Sequence, residues 1–180
     1  FVDGAVPGDV ADVLVIRKKK SLSEAVVTRF VKYSEDRVEA PCRHFGVCGG
    51  CKWQHVDYSA QLRHKFQTVK DSIKRIAKLN PDLVLPIIGC DQNFAYRNKL
   101  EYSFSNKRWI TQEEAAGDTL IEQPGALGFH RPGSFDKIVD IEQCLLQDDF
   151  SNEIRNFVRS FAHKNSFTFY DTRAQNGFLR

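Results

Sequence analysis

The sequence predicts an α+β fold: a partial β module, a cysteine-bearing loop, and an α+β central domain with an antiparallel sheet. Three observations carry this. Residues 1–33 hold two runs of β-branched and aromatic residues. From Ser59 onward the apolar residues recur at helical steps of three and four. Between these regions lies a stretch of little periodicity in which Cys42, Cys48 and Cys51 are spaced C-x5-C-x2-C.

In the first module, Pro7-Gly8 punctuates the start of a strand over Val10 to Ile16, and Lys18 to Lys20 ends it. Ala25 to Tyr33 is the second strand. Two strands do not make a stable domain, so they pair with later elements or with residues upstream. Leu62, Phe66, Val69, Ile73, Ile76 and Leu79 form one apolar stripe on a helix that ends before Pro81. Its other face carries Arg63, Lys70, Lys74, Arg75 and Lys78 and reads either as solvated surface or as a face toward nucleic acid. Leu100 to Phe104 alternates, and Ser105-Asn106 suits a turn into Arg108 to Thr111, predicting a hairpin. An acidic loop follows. Ala126 to His130 and Ile138 to Ile141 are short strands. Phe150, Ile154, Phe157, Val158 and Phe161 mark an amphipathic helix with Asp148 or Asp149 near its start, and Phe167 to Tyr170 is a further strand.

The chain has 180 residues, 42% hydrophobic and 27% charged, a composition of folded rather than disordered proteins. No apolar run approaches the roughly 18–20 residues of a membrane span, and no export signal opens the sequence. The expectation is a cytoplasmic monomer with no membrane partner. The net charge of +3 is unevenly distributed. Positive charge gathers at Arg17–Lys20, Lys65–Lys78, Arg97 and Lys107, and negative charge at Glu113–Glu122 and Asp148–Asp149. Such segregation suits a nucleic-acid-binding face, although ordinary solvated surface also produces it. The sequence begins at Phe1 and contains no methionine, which predicts that the natural N-terminus lies upstream.

An odd cysteine total without an export signal argues against a disulfide framework. Thiolates are good ligands for zinc and iron–sulfur clusters, and Gly49-Gly50 lets Cys48 and Cys51 turn toward one centre. Structural zinc sites draw on two short ligand pairs, and only one is present. Three local thiols plus a remote one is a pattern of cuboidal iron–sulfur sites. On spacing, the remote ligand is Cys144 or Cys90, with His44 and His55 as weaker rivals.

The run PCRHFGVCGGCKWQHVDYSAQLRHK closely resembles the iron–sulfur motif of the RumA-type branch of the RNA (uracil-5-)-methyltransferases. The matching positions are Pro41, Cys42, Phe45, Cys48, Gly49, Gly50, Cys51, Gln54, His55, Tyr58, Gln61, Leu62 and Lys65. FAYRNKLEYSFS, LGFHRPGSFDKIVDIEQC and the final GFLR continue the likeness, and VDGAVPGDVADVLVIRKKKSLSEAVV resembles the later strands of a TRAM domain, an OB-like RNA-binding barrel. The resemblance implies a partial TRAM barrel at 1–35, an iron–sulfur loop at 36–58 and a central RNA-binding domain at 59–180. It makes Cys144 the fourth ligand of a 4Fe-4S cluster, with zinc as the alternative metal, and leaves Cys90 outside the site.

For the whole enzyme the resemblance implies an S-adenosylmethionine-dependent methylation of uracil, with 23S rRNA as the expected partner. A cysteine adds to C6, C5 takes the methyl group, and a base removes the C5 proton before elimination. The Rossmann-like domain that carries those groups has no counterpart motif here, so this stretch is expected to be inactive alone and to contain no catalytic residue. Its expected task is RNA binding, through Lys18, Lys19, Lys20, Arg97, Lys99 and Arg131 on phosphates and Trp53, His55 or Phe129 on bases. The cluster is expected to pin the Cys42–Cys51 loop to the segment ending at Cys144, with redox sensing as a second role. The rival readings are a non-catalytic RNA-binding protein or an adaptor stabilised by a four-cysteine zinc site. A radical S-adenosylmethionine protein fits poorly, since its usual spacing is C-x3-C-x2-C.

Overall fold

The computed structural model describes residues 1–117 and 125–180. Part of the acidic stretch Glu113–Glu122 therefore lies outside the described residues. Two compact units form, Phe1–Pro41 with Trp53–Asp91, and Cys42–Lys52 with Gln92–Arg180. They interleave along the chain, so that the loop 36–58 contributes to both. Packing decides this: Val56 and Ala60 bury with Val6, whereas Val47, Cys48 and Cys51 pack against Val139, Ile141, Cys144 and Leu146.

In the first unit, β1 (Val2–Asp3), β2 (Val10–Lys19) and β3 (Leu22–Lys32) form an open sheet in the order β1-β3-β2. Strands β2 and β3 are a long antiparallel hairpin with three register shifts, and β1 runs parallel to β3. Asp9 anchors the base of this hairpin. Its carboxylate accepts from the backbone of Val6 at 2.7 Å and Ser34 at 2.8 Å, and from the Arg37 guanidinium at 2.7 and 2.9 Å. Those donors, led by Arg37, hold its carboxyl well below the usual carboxylate range. The Arg37 guanidinium in turn lies 4.6 Å from the Phe30 ring centroid, a cation–π contact.

Helix α1 (Tyr58–Ser72) starts where Asp57 caps it, accepting from the backbone of Ser59 and Ala60. Gln61 ties the preceding turn to the helix by donating to the carbonyls of Trp53 and Val56. The helix widens into a π-helical segment, Ile73–Ala77, and stops at Lys78 in the left-handed region, followed by a 3₁₀ turn, Pro81–Leu83. The expected apolar stripe is only partly covered. Ala60 is the buried residue of α1, while Val69, Ile76 and Leu79 are exposed.

The second unit is built on β4 (Ser103–Ser105), β5 (Ala126–His130) and β6 (Ile138–Asp140), all antiparallel, in the order β4-β5-β6. A short helix α2 (Gln112–Ala115) precedes 118–124. The hairpin expected at Ser105-Asn106 does not form. Instead β4 pairs with β5, and the chain after the turn runs parallel beside β6, with Ile138 donating to the Lys107 carbonyl and Trp109 to the Ile138 carbonyl. Ser105 fixes that path: its hydroxyl accepts from the Lys107 backbone at 3.0 Å and donates to the Asp136 carbonyl at 3.2 Å. Gly128 is required at the centre of β5, because a Cβ there would stand 2.0 Å from the Val139 carbonyl. The strand expected at Phe167–Tyr170 reduces to isolated bridges, Phe169 with Leu179 and Asp171 with Asn176.

Helix α3 (Asp149–Lys164) begins where Asp148 accepts from the Ser151 backbone, as expected. Its orientation is the reverse of what its amphipathic pattern predicts. Phe150, Ile154, Phe157, Val158 and Phe161 are exposed, and the buried residues are Asn152, Arg155 and Ala162. The polar face is turned inward because it has a specific task on the segment that follows β6.

Candidate functional site

Four of the five cysteines, Cys42, Cys48, Cys51 and Cys144, fall in the second unit, all as free thiols. The loop reaches them by a tight turn, in which Phe45 donates to the Cys42 carbonyl and Cys48 to the His44 carbonyl. Gly49-Gly50 then lies flat on β5. A Cβ at Gly49 would be 2.6 Å from the His130 carbonyl, and one at Gly50 would touch Cys48 Sγ and the Phe129 ring. The Gly50 N–H donates to Cys48 Sγ at 3.3 Å, supplying a dipole that favours the thiolate.

Burial raises the Cys42 thiol above its ordinary range and pushes Cys48 up to about 11, and the neighbouring thiols add to both shifts. Cys144 acts on each, so the remote cysteine and the three loop cysteines are electrostatic neighbours. Clustered thiols of this kind stay protonated unless a cation offsets their charge. Among the described residues, no three His, Cys, Asp or Glu side chains converge to hold a metal ion. A four-iron cluster takes one thiolate per iron, so its ligands stand farther apart than those around a single ion. The donor set, four soft sulfurs in one unit with three half-buried and one buried, fits such a group by its chemistry.

Cys144 is 8% exposed and packs with Val139, Ile141 and Leu146. Tyr102 lies against this cluster, its hydroxyl donating to Gln147 Oε1 at 3.1 Å and accepting from Arg155 Nη1 at 3.0 Å, and burial, reinforced by the nearby Cys144, raises its phenol to about 12. Arg43 pairs with Glu142, joining the loop to the Cys144 segment. Cys90 belongs to the other unit, where its backbone N–H donates to Tyr58 Oη at 2.8 Å.

The residues expected to contact RNA divide between the two units. In the first, Lys18 and Lys19 end β2 and Lys20 opens the turn, all three exposed at the hairpin tip. Trp53 is 43% exposed and meets His64 edge-on, and His55 is half-buried. In the second, Lys99 pairs with Glu101 at 3.0 Å. Arg97 is exposed and within electrostatic range of Cys51 and Cys144. Arg131 lies 4.2 Å over the Trp109 ring, which Lys137 also flanks. The Phe129 ring packs on Tyr102 at 4.7 Å and on Gly50, so it supports the loop. Sequence reasoning missed Trp109 and the inward face of α3. The signal for the latter was present: Asn152, Arg155, Asn156 and Arg159 recur at helical spacing opposite the phenylalanines.

No family model matches the chain. It is 48% identical over 180 residues to an uncharacterized RNA methyltransferase of Bacteroides thetaiotaomicron, covering all of this chain and 40% of that protein. It is 43% identical to one of Porphyromonas gingivalis, covering 100% and 40%, and 39% identical to one of Chlorobaculum tepidum, covering 97% and 36%. The chain thus spans about two fifths of the length of these relatives. A tRNA (uracil-54, C5)-methyltransferase of Pyrococcus abyssi, solved with S-adenosyl-L-homocysteine, has the same fold over 99% of this chain and 36% of its own, with a TM-score of 0.61 and 23% identity. No helix among the described residues is long and apolar enough to cross a membrane. Over its whole length the chain is thus similar to part of proteins described as RNA methyltransferases, and it shares its fold with part of a tRNA uracil methyltransferase.

Proposed function

We propose that this chain is the RNA-binding and iron–sulfur-holding region of an S-adenosylmethionine-dependent RNA (uracil-C5) methyltransferase acting on ribosomal RNA. The observation that carries this is the gathering of Cys42, Cys48, Cys51 and Cys144 in one unit with Cys90 in the other. When bound, a 4Fe-4S cluster would supply cross-links between the loop and the Cys144 segment, a structural rather than a redox contribution. Methyl transfer to C5 involves no net electron transfer, which favours that role.

The chain's own residues bind the substrate. A target uracil in folded RNA is stacked, so binding energy has to offset its exposure. The lysines at the hairpin tip contribute through phosphates, and the exposed Trp53 offers a stacking surface. Arg131 and Lys137, flanking Trp109, offer a second cationic surface in the other unit. The flattened seat of Gly49-Gly50 on β5 holds the cysteine loop in place.

The test uses the protein as its natural gene encodes it, purified without oxygen. Iron, sulfide and zinc analysis is combined with methyl transfer from labelled S-adenosylmethionine to unmodified ribosomal and transfer RNA, followed by mapping of the modified base. Iron with sulfide and 5-methyluridine in ribosomal RNA is the expected result. Zinc without iron would replace the cluster by a four-cysteine zinc site. RNA binding with no methyl transfer to either RNA would make the protein a non-catalytic binder, and methylation confined to transfer RNA would overturn the ribosomal assignment.

A further inference from the structure

The segment that delivers Cys144 is held by side chains. After β6 ends at Asp140, its backbone groups turn to the inward face of α3. Arg155, 4% exposed, donates from Nε to the Ile141 carbonyl at 3.0 Å, from Nη2 to the Glu142 carbonyl at 2.6 Å and from Nη1 to Tyr102 Oη at 3.0 Å. Asn156 also donates to the Glu142 carbonyl, at 2.9 Å. Asn152, 5% exposed, takes Cys144 itself. The Cys144 N–H donates to Asn152 Oδ1 at 2.7 Å, and Asn152 Nδ2 donates to the Cys144 carbonyl at 3.1 Å and to the Asp148 carbonyl at 2.9 Å.

We propose that Asn152 is the positioning residue for the fourth ligand: by binding both backbone polar groups of Cys144 it fixes the direction of that side chain toward Cys42, Cys48 and Cys51. This rests on the reading of the four cysteines as cluster ligands. The chemistry of the carboxamide fits the task closely. One acceptor meets one N–H, and two N–H donors meet two carbonyls, so its main capacities are used in one place. A carboxylate there offers no donor, and an aliphatic side chain of similar size offers nothing, leaving the Cys144 N–H unpaired and the Cys144 and Asp148 carbonyls with only the backbone donors of Gln147 and Asn152. An amide on the buried face of a helix whose phenylalanines stay exposed is otherwise costly. Partners that orient metal ligands typically change metal affinity 10- to 100-fold when replaced.

The test compares the full chain, purified and reconstituted without oxygen, with Asn152→Leu, Asn152→Asp, Asn156→Ala and Cys144→Ala. Electron paramagnetic resonance, after mild oxidation for a three-iron signal and after dithionite reduction for the four-iron spectrum, and the half-life of iron under a chelator are the readouts, and the thermal transition of each metal-free protein is the control for folding. Cys144→Ala is expected to lose one iron and show a three-iron signal. Asn152→Leu is expected to reproduce that signal, with iron lost about 10- to 100-fold faster than from the unaltered protein. Asn152→Asp keeps the acceptor for the Cys144 N–H and should fall between, and it decides the matter if Asn152→Leu does not fold. Asn156→Ala should retain the four-iron spectrum, since Arg155 still bonds Glu142. A four-iron spectrum and a half-life within twofold of the unaltered protein in the Asn152 variants would overturn the positioning role while leaving the ligands intact. An unaltered protein without iron, or a Cys144→Ala variant that keeps the four-iron spectrum, would overturn the ligand reading and this inference with it.

Discussion

Replacing Asp9 by asparagine tests whether the anchor of the β2–β3 hairpin is what holds the first unit. The Asp9 side chain is 2% exposed and that of Arg37 19%. Asparagine retains one acceptor oxygen and places an amide group where the other stood. Whichever oxygen is lost, one backbone N–H, from Val6 or Ser34, loses its acceptor, and one guanidinium N–H loses it or is left with the longer 3.2 Å bond from Nε to Oδ2. With about 1 kcal/mol for the neutral bond and about 2 kcal/mol for the charged one, the loss is about 3 kcal/mol. At an m-value of about 2 kcal/mol/M that lowers the urea midpoint by about 1.5 M. The two tryptophans fall one in each unit, so a Trp109→Phe background leaves Trp53 fluorescence to report on the first. The sign of the pH dependence follows from the depressed carboxyl. Its stabilisation is fully present above the unfolded-state pKa of about 3.9 and is lost as pH falls toward the lower folded-state value. The gap between the unaltered protein and Asp9→Asn should therefore shrink by about 1 kcal/mol between pH 7 and pH 3. An equal gap at both pH values, or one below about 1 kcal/mol at pH 7, would refute the reasoning.

Substituting Lys18, Lys19 and Lys20 together by alanine should reduce the salt slope of single-stranded RNA binding by about 2, at about 0.7 per phosphate contact, in fluorescence anisotropy titrations. An unchanged slope removes the hairpin tip from the RNA face. Gly128→Ala should destabilise the second unit by roughly 3 kcal/mol or more, the top of the range for overpacking, because the Val139 carbonyl and the Ile141 nitrogen that a Cβ would meet are backbone atoms that do not turn aside. Urea unfolding followed through Trp109 measures it. On α3, Phe157→Asp should change stability by no more than about 0.5 kcal/mol, the ring being 69% exposed. Arg155→Leu should cost about 2–3 kcal/mol, seen in a thermal scan as a fall of about 6 °C or more. Cys90→Ser should leave iron content after anaerobic reconstitution unchanged, whereas Cys48→Ser should lower it.

The elements that the sequence made legible are those with strong local signals. Asp148 or Asp149 ahead of a 3.6-residue period located α3, and Ala126 to His130 and Ile138 onward read as strands. What was not legible depends on partners outside the element's own periodic pattern. Periodicity reports that a helix has two faces but not which one is buried, and α3 buries the one whose amides and guanidiniums meet the backbone of residues 141–144. Similarly, Ser105-Asn106 has the chemistry of a hairpin turn, yet the Asp136 carbonyl draws the Ser105 hydroxyl and the following residues beside β6. The π-helical end of α1 gave no sign, since Ile73–Ala77 continues the helical apolar spacing. Of the candidate site, the thiols were evident from sequence and the residues that orient Cys144 were not.

Helix α3 follows Cys144 in the chain and yet holds its backbone, and it does so from only eight residues further on. The loop cysteines are close neighbours in sequence and their turn is local. Each half of the cysteine set is thus shaped by its own neighbourhood. What is not local is the meeting of the two halves, 93 positions apart between Cys51 and Cys144, and on the proposed reading a bound cluster would close that large loop.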